Sequence, residues 1–362
     1  MQVWTMEGTP GEMGRAHGEM HREAIHEFYA RRLNNAIVQA LDWGGRHVTE
    51  DQALAVASAC LEPTRDFHPE GYEELVGIAE GADMPLEKVM LLNGLTDLRD
   101  VLAWDGDLDS LGGCSAFIAQ GDTTVDGQTV CGQTWDLATD NMPYVIGVHR
   151  KPTEGPETWC LTTAGCLSLI GMNSLGLAVG TTNLRCTDAR IGVVYLSIIH
   201  RLLTTCTTVK EAVGVVGDAP RAGAHYYMLA DAAGRSAGVE CTATRFHARP
   251  VTRGVFVHCN HCLDPQNVLL EGREPSPSTL TRTARLRTLL QGKVGKIDSM
   301  VGRKCLSDTS GGDQAICRDD TLGISSNGAV IMVPERGEIH GCHGLPNKAK
   351  WVDMRAVAGE TA

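Results

Sequence analysis

A cysteine set behind two glycines, in Gly112-Gly113-Cys114-Ser115-Ala116-Phe117, is placed so that its sulfur could attack the carbonyl of the residue before it. Gly113 has no side chain to block that approach and tolerates the backbone strain it requires. If the Gly113-Cys114 peptide breaks, Cys114 becomes an N-terminus carrying both a thiol and a free amine. An α-amine has a pKa of roughly 7.7–8.0, so one residue would then hold a nucleophile and a base suited to near-neutral pH. A small-residue turn leading a cysteine into a strand is also how an inert buried thiol looks, and the rest of the chain has to decide between the two.

The elements around this motif change character at about Asp105. Before it the sequence reads as mostly helical. Ile25, Phe28, Tyr29, Leu33, Ile37 and Leu41 mark one buried stripe on a helix running from Glu12 to about Trp43. Thr49-Glu50-Asp51-Gln52 fits a capping box opening a second helix that lasts to Pro63 or a little beyond. A third covers roughly 70–80 with Gly81 as its stop, and a fourth follows Pro85 to about Leu98. Residues 105–113 form a turn-rich linker. Strands are then predicted at 115–120 and 128–134 around a Val125-Asp126-Gly127 hairpin turn, and at 144–150, 158–163, 168–172 and 177–182. Helices at 193–203 and 209–216 follow, then strands at 226–230, 236–240 and 255–259, a helix at 279–290, and a closing hairpin of 329–333 with 338–342. This order predicts helices packed outside two antiparallel sheets.

Composition narrows the partners. The chain has 362 residues, 43% hydrophobic and 21% charged, enough for a sizeable core of one large domain or two ordinary ones. A net charge of −12 argues against nucleic acid or an anionic membrane surface as the main partner. No run approaches the ~20 apolar residues of a membrane-spanning helix. Met1 to Pro10 lacks the apolar centre of a signal peptide, and thirteen scattered cysteines do not resemble a disulfide framework, so a reducing cytoplasm is the expected compartment. Phosphate-cradling glycine motifs are absent, and no organic cofactor is implied.

Taken together, the segments Cys114–Asp136, Gly171–Leu184 and those around Asn260 and Arg318 resemble the N-terminal-nucleophile hydrolases. Within that superfamily the chain is most similar to the autoproteolytic acyl-CoA:6-aminopenicillanate acyltransferase (isopenicillin N acyltransferase) family, with bile-salt and penicillin V amidases as more distant relatives. The likeness extends to the leader, with Gly11-Glu12-Met13-Gly14 and Gly18.

The resemblance implies a four-layer αββα fold of class α+β, made as a precursor and cut between Gly113 and Cys114. Residues 1–113 would form a helical segment that stays associated with the catalytic segment 114–362, the two together making one structural domain. Cys114 becomes the nucleophile. Asp136 matches the carboxylate that orients the new amine, which it would do by a charge-assisted hydrogen bond. Asn183 is placed to contact substrate or oxyanion, while Asn173 is read as the turn-former of Asn173-Ser174-Leu175-Gly176, since asparagine favours turns. Asn260 matches an oxyanion-hole amide, and a fixed donor of that kind is worth ~2.7–4 kcal/mol of barrier. Arg318 matches an arginine that favours the thiolate, since a guanidinium stays charged without competing for the proton. Residue by residue the ordinary alternatives stay open: a strand-end aspartate, a strand-end cap and a surface arginine. Family members often carry a serine where this chain reads Ala222-Gly223-Ala224-His225-Tyr226, which leaves the acyl group undefined.

A rival reading is metal-centred. Cys259-Asn260-His261-Cys262 is a C-x-x-C pair, and His340 with Cys342 could complete a zinc set. A non-catalytic binding protein with an ordinary thiol at Cys114 is the third possibility. The preferred expectation is a cysteine amidohydrolase or acyltransferase acting on the amide or thioester of a small N-acyl compound, with neither metal nor cofactor. Its partners would be that substrate and its own two fragments, and a homo-oligomer is left open.

Overall fold

The computed structural model describes residues 1–44, 47–102, 113–320 and 323–358. The chain opens with strand β1 (Val3–Gly8), followed by six helices: α1 (Pro10–Met20), α2 (Arg22–Gly44), α3 (Glu50–Ala59), α4 (Leu61–Phe67), α5 (Pro69–Ala82) and α6 (Leu86–Val101). Strands β2 (Gly113–Gly121), β3 (Gly127–Ala138), β4 (Val145–Pro152), β5 (Thr158–Thr163), β6 (Ile170–Asn173) and β7 (Ala178–Asn183) come next. Helices α7 (Tyr195–Thr205) and α8 (Val209–Asp218) lead to β8 (His225–Ala230), β9 (Ser236–Cys241), β10 (Phe246–Pro250) and β11 (Gly254–His258). Helices α9 (Pro265–Glu271), α10 (Pro277–Gln291) and α11 (Ser299–Leu306) precede β12 (Ile324–Val333), β13 (Glu338–His343) and β14 (Val352–Asp353).

The strands form two sheets, ordered β1-β4-β5-β6-β7-β8-β9-β10 and β11-β2-β3-β12-β13-β14. They face one another, with β2 lying against β7 and β8, while α7 and α8 cover the first sheet and α10 and α11 the second. This is the expected α+β sandwich of four layers, with one difference. β1 pairs in parallel with β4, Val3 opposite Gly147 through Gly8 opposite Pro152, so the larger sheet is not wholly antiparallel. The leader that read as helical thus begins as an edge strand. Its half-buried residues and lone Pro10 gave no alternating pattern strong enough to mark it.

The helix expected over 12–43 is two helices parting at His21 (φ −116°), because α1 is committed to a different neighbour from α2. A Cβ on Gly14 would stand 2.1 Å from Glu74 O, on Gly18 2.4 Å from Ile78 O, on Gly77 2.3 Å from Gly11 O, and on Gly81 2.2 Å from Arg15 O. The glycines of α1 and α5 therefore let the two backbones touch. That also explains why Gly81, read as a helix stop, lies inside α5. The stop is Asp83, in the left-handed region at φ 53°. The Thr49 capping box opening α3 is present. The linker expected at 105–113 lies outside the described residues up to Gly112. The short elements β10, α9, α11 and β14 carry too few patterned residues to have been read.

Inside the sandwich, buried polar contacts tie the leader to the sheets. Arg150 on β4 donates from Nε to Glu74 Oε1 at 2.8 Å, both side chains being buried. The Gly165 N–H donates to His17 Nε2 at 2.9 Å, and Phe28 stacks on Tyr144 at 5.0 Å. Asn173, the expected turn-former before β7, accepts at Oδ1 from the N–H groups of Leu175 and Leu177 and donates from Nδ2 to Leu203 and Cys206 carbonyls.

The glycine seam makes a graded prediction. Gly18→Ala drives a methyl into backbone atoms that cannot yield and lowers stability by about 3 kcal/mol, the upper end for overpacking. Gly11→Ala, whose Cβ meets nothing nearer than Glu73 O at 3.9 Å, leaves the thermal midpoint essentially unchanged. Thermal unfolding of the two variants measures the difference.

Candidate active site

Cys114 is the second residue of β2, a central strand held between β3 and β11. On the β3 side the ladder is complete: Gly113 faces Asp136, and Cys114 faces Trp135. On the β11 side it stops at His258 opposite Ala116, leaving Cys114 beyond the paired strand. The main-chain N–H that would have continued the ladder is taken by a side chain instead: Cys114 N donates to Asn260 Oδ1 at 2.9 Å. The chain turns out of β11 at this point, and the Asn260 N–H is held by Thr279 Oγ1 at 2.7 Å.

The Asn260 amide is committed at both ends. Its Oδ1 accepts from Cys114 and from Arg282 Nη2 at 2.9 Å, while its Nδ2 donates to Asn183 O at 3.0 Å. Two donors on one end and a carbonyl on the other fix which end is oxygen. The same Arg282 donates from Nη1 to Cys114 O at 2.5 Å and to Ser115 Oγ at 3.2 Å. The sequence reading missed Arg282. Its signal was an arginine on the face of a helix whose other members, Thr279, Thr283, Leu286 and Leu290, are all buried. A charge on an apolar stripe calls for a buried partner.

Asp136 is buried beside this cluster. A β-bulge in β12 between Ser326 and Gly328 puts Ser326 opposite it, and Ser326 Oγ donates to Asp136 Oδ1 at 2.7 Å. Asp136 Oδ2 has no hydrogen-bond partner among the described residues and lies 3.0 Å from where a Cβ on Gly113 would stand; the Arg282 guanidinium is 3.2 Å from the same point. Any side chain at 113 would therefore fill the space between carboxylate, guanidinium and the Gly113-Cys114 peptide. Arg318 is anchored by main-chain bonds with Ser326, Arg318 N to Oγ at 3.0 Å, and its Nη2 reaches Ser278 Oγ. The charges of Arg318 and Arg282 both favour the ionised carboxylate of Asp136, and that of Arg282 also favours the thiolate of Cys114.

The electrostatics favour neutral groups in this unbroken chain. Burial pushes the Cys114 thiol up to about 12, the Asp136 carboxylate adds to that, and Arg282 with the main-chain N–H groups of Asp136 and Asn183 opposes it. Burial likewise raises Asp136 above the usual carboxylate range, against the pull of Arg318 and Arg282. A narrow cleft opens beside the site, lined by Asn183, Asn260, Arg185, Arg273, Glu271 and Glu274 among others. Glu271 there is pushed up to about 7, first by burial.

The metal-centred set does not assemble. β11, which leads to Cys259 and Cys262, is separated from β13, which carries His340 and Cys342, by the three strands β2, β3 and β12. At about 4.8 Å per strand the two pairs stand some four spacings apart, far beyond any zinc coordination sphere. No group of three His, Cys, Asp or Glu among the described residues could hold a metal ion.

Comparison with known proteins settles the family. Residues 123–332, more than half of the chain, match the family described as acyl-coenzyme A:6-aminopenicillanic acid acyl-transferase. The chain belongs to that family. The match takes in Asp136, Asn183, Asn260, Arg282 and Arg318 and begins nine residues after Cys114. The chain is also 25% identical over 330 residues to the acyl-coenzyme A:6-aminopenicillanic-acid-acyltransferase 40 kDa form of Emericella nidulans, covering 91% of this chain and 88% of that protein. Among solved structures it is similar to the conjugated bile acid hydrolase of Clostridium perfringens (TM-score 0.49, 14% identity, 68% of this chain and 95% of that one). It is similar as well to the penicillin V acylase of Agrobacterium tumefaciens (TM-score 0.44, 17% identity, 69% and 89%).

Arg282 gives this family member a pH-dependent signature. Removing a cation that favours the thiolate raises the thiol pKa, so in Arg282→Met the alkylation of Cys114 by a small reagent, followed on its own peptide, is slower at fixed pH. Its pH profile moves upward, roughly tenfold in rate for each unit. An unmoved profile would leave Arg282 with a purely structural part.

Proposed function

We propose that this chain is the precursor of a cysteine amidohydrolase or acyltransferase of the N-terminal-nucleophile type, which cuts itself between Gly113 and Cys114 and then works through a thioester on Cys114. The observation that carries the reading is the convergence of Asn260, Arg282 and Asp136 on the Gly113-Cys114 peptide, at the one place where β2 has lost its β11 neighbour.

In self-cleavage, Cys114 Sγ attacks the Gly113 carbonyl carbon and the C–N bond breaks, so that the Gly113 acyl group moves to sulfur and the thiol proton ends on the freed nitrogen. Water then hydrolyses the thioester, leaving a carboxylate on Gly113, a thiol and an amine on Cys114. That amine is the new base. Asn260 Oδ1 already holds its nitrogen, and the unpartnered Asp136 Oδ2 is the acceptor that would orient it and stabilise it when protonated. In turnover the amine takes the thiol proton, the thiolate attacks a substrate carbonyl, and water or an amine resolves the acyl-enzyme. Asn183 contributes its main-chain N–H beside the sulfur, and Asn260 Nδ2 becomes an oxyanion donor once it leaves the Asn183 carbonyl.

The leader would remain bound after the cut, as β1 is a strand of the larger sheet and Glu74 is the buried partner of Arg150. The substrate enters through the cleft of Asn183 and Asn260. A small N-acyl amide or an acyl thioester is the class that fits the acyl-transferase family to which the chain belongs. The thirteen cysteines are all unpaired and buried, which suits a reducing compartment such as the cytoplasm. No helix among the described residues is long and apolar enough to cross a membrane.

Rapid quenching of the enzyme with an activated acyl ester tests the catalytic half of this reading. The expected product is one hydroxylamine-labile acyl adduct on the peptide beginning at Cys114, absent from Cys114→Ala. Acylation at any other residue would overturn it.

A further inference from the structure

A second cleft, of about 210 Å³, opens at the edge where β10 and β11 end the two sheets, and it shares no residue with the cleft at Asn183 and Asn260. Its floor is aromatic. The rings of Tyr226 and His258 stack at 3.9 Å with 3° between their planes, and Phe256 lies 6.0 Å from Tyr226. The space depends on Gly238, where a Cβ would meet the Tyr226 ring at 2.8 Å and the Phe256 ring at 2.9 Å. Tyr226 lines this cleft and is 1% exposed, and its buried hydroxyl has no hydrogen-bond partner among the described residues. A buried hydroxyl left unpaired is costly, and a ligand atom would relieve that cost.

The charges in the cleft are asymmetric. Glu240 is saturated: it accepts from Leu263 N at 2.7 Å, Asp264 N at 2.9 Å, Asn267 Nδ2 at 3.1 Å and His258 Nε2 at 3.1 Å. Asp264 caps α9 through the N–H groups of Gln266 and Asn267, and its other oxygen is 3.3 Å from His247 Nδ1. Arg249 at the rim lies over the face of Phe256 at 5.2 Å, and the two carboxylates that line the same cleft, Glu240 and Asp264, are engaged by the partners just named. The cleft therefore offers a cation at its mouth, flat apolar walls and one unused hydroxyl in its depth.

We propose that this cleft is a second ligand site, built for a small aromatic carboxylate. The carboxylate pairs with Arg249, the ring lies against Phe256 and Tyr226, and a polar substituent at the far end meets the Tyr226 hydroxyl. The floor is joined to the Cys114 neighbourhood. His258 Nδ1 contacts Thr182 Oγ1 at 3.1 Å and Cys259 O at 2.9 Å, and these residues immediately precede Asn183 and Asn260.

The test is calorimetric titration of the whole protein with 4-hydroxybenzoate, in wild type and in Cys114→Ala, so that the outcome does not depend on what Cys114 does. The expected result is saturable one-site binding in both, with the ring resonances of His258 shifting in step. Arg249→Ala, a change at an exposed residue, weakens binding roughly tenfold, the scale of a charge-assisted pair. Gly238→Ala, which fills the floor, removes binding, and Arg273→Ala in the other cleft leaves it unchanged. Absence of saturable binding, or an affinity indifferent to Arg249, would overturn the proposal.

Discussion

Everything in the site depends on where β11 stops pairing with β2. A strand in the middle of a sheet has every N–H and C=O occupied, and its peptide bonds are inaccessible to chemistry. Here the ladder ends at His258 opposite Ala116, and the next donor of β2, Cys114 N, is satisfied by Asn260 Oδ1. The Gly113-Cys114 peptide thus keeps the rigidity of a central strand on its β3 side and exchanges backbone partners for side-chain partners on the other. Side chains can rearrange when a bond breaks, whereas a ladder cannot without losing the sheet.

The guanidinium of Arg282 secures that arrangement. It bridges Cys114 O, Ser115 Oγ and Asn260 Oδ1, and it stands close to Asp136 as well. A buried cation here does two things at once: it satisfies acceptors the truncated ladder leaves behind, and it draws both the thiol and the carboxyl toward their charged forms against the pull of burial. Burial still dominates in the unbroken chain, and both groups are held toward neutrality.

The Asp-Gly turn made the β2–β3 hairpin legible, but the facing of Asp136 and Gly113 is set by the longer Gly121–Gly127 connection and the bulge beside it, which the turn motif does not specify. The turn role of Asn173 and the four-layer architecture were legible for the same reason, being set by local pattern. What escaped the sequence depends on tertiary contact. Gly81 reads as a helix stop until Arg15 O is found 2.2 Å from its missing Cβ, and β1 reads as irregular until β4 lies beside it. Arg282 was visible only as a charge on a buried helix face, and its acceptors in the site come from two segments far apart in the chain, Cys114-Ser115 and Asn260. Arg318 was singled out by resemblance; it reaches Ser278 Oγ, and its charge draws the Asp136 carboxyl toward its ionised form.

The most direct measurement is the intact mass of the purified protein under denaturing conditions, set beside that of Cys114→Ala. Two species corresponding to residues 1–113 and 114–362 in the wild type, and one full-length species in the variant, are what this account predicts. A single full-length chain in both, from folded protein, would contradict it, because Cys114 would then have no amine of its own and the opening in the β2 ladder would have no chemistry to serve.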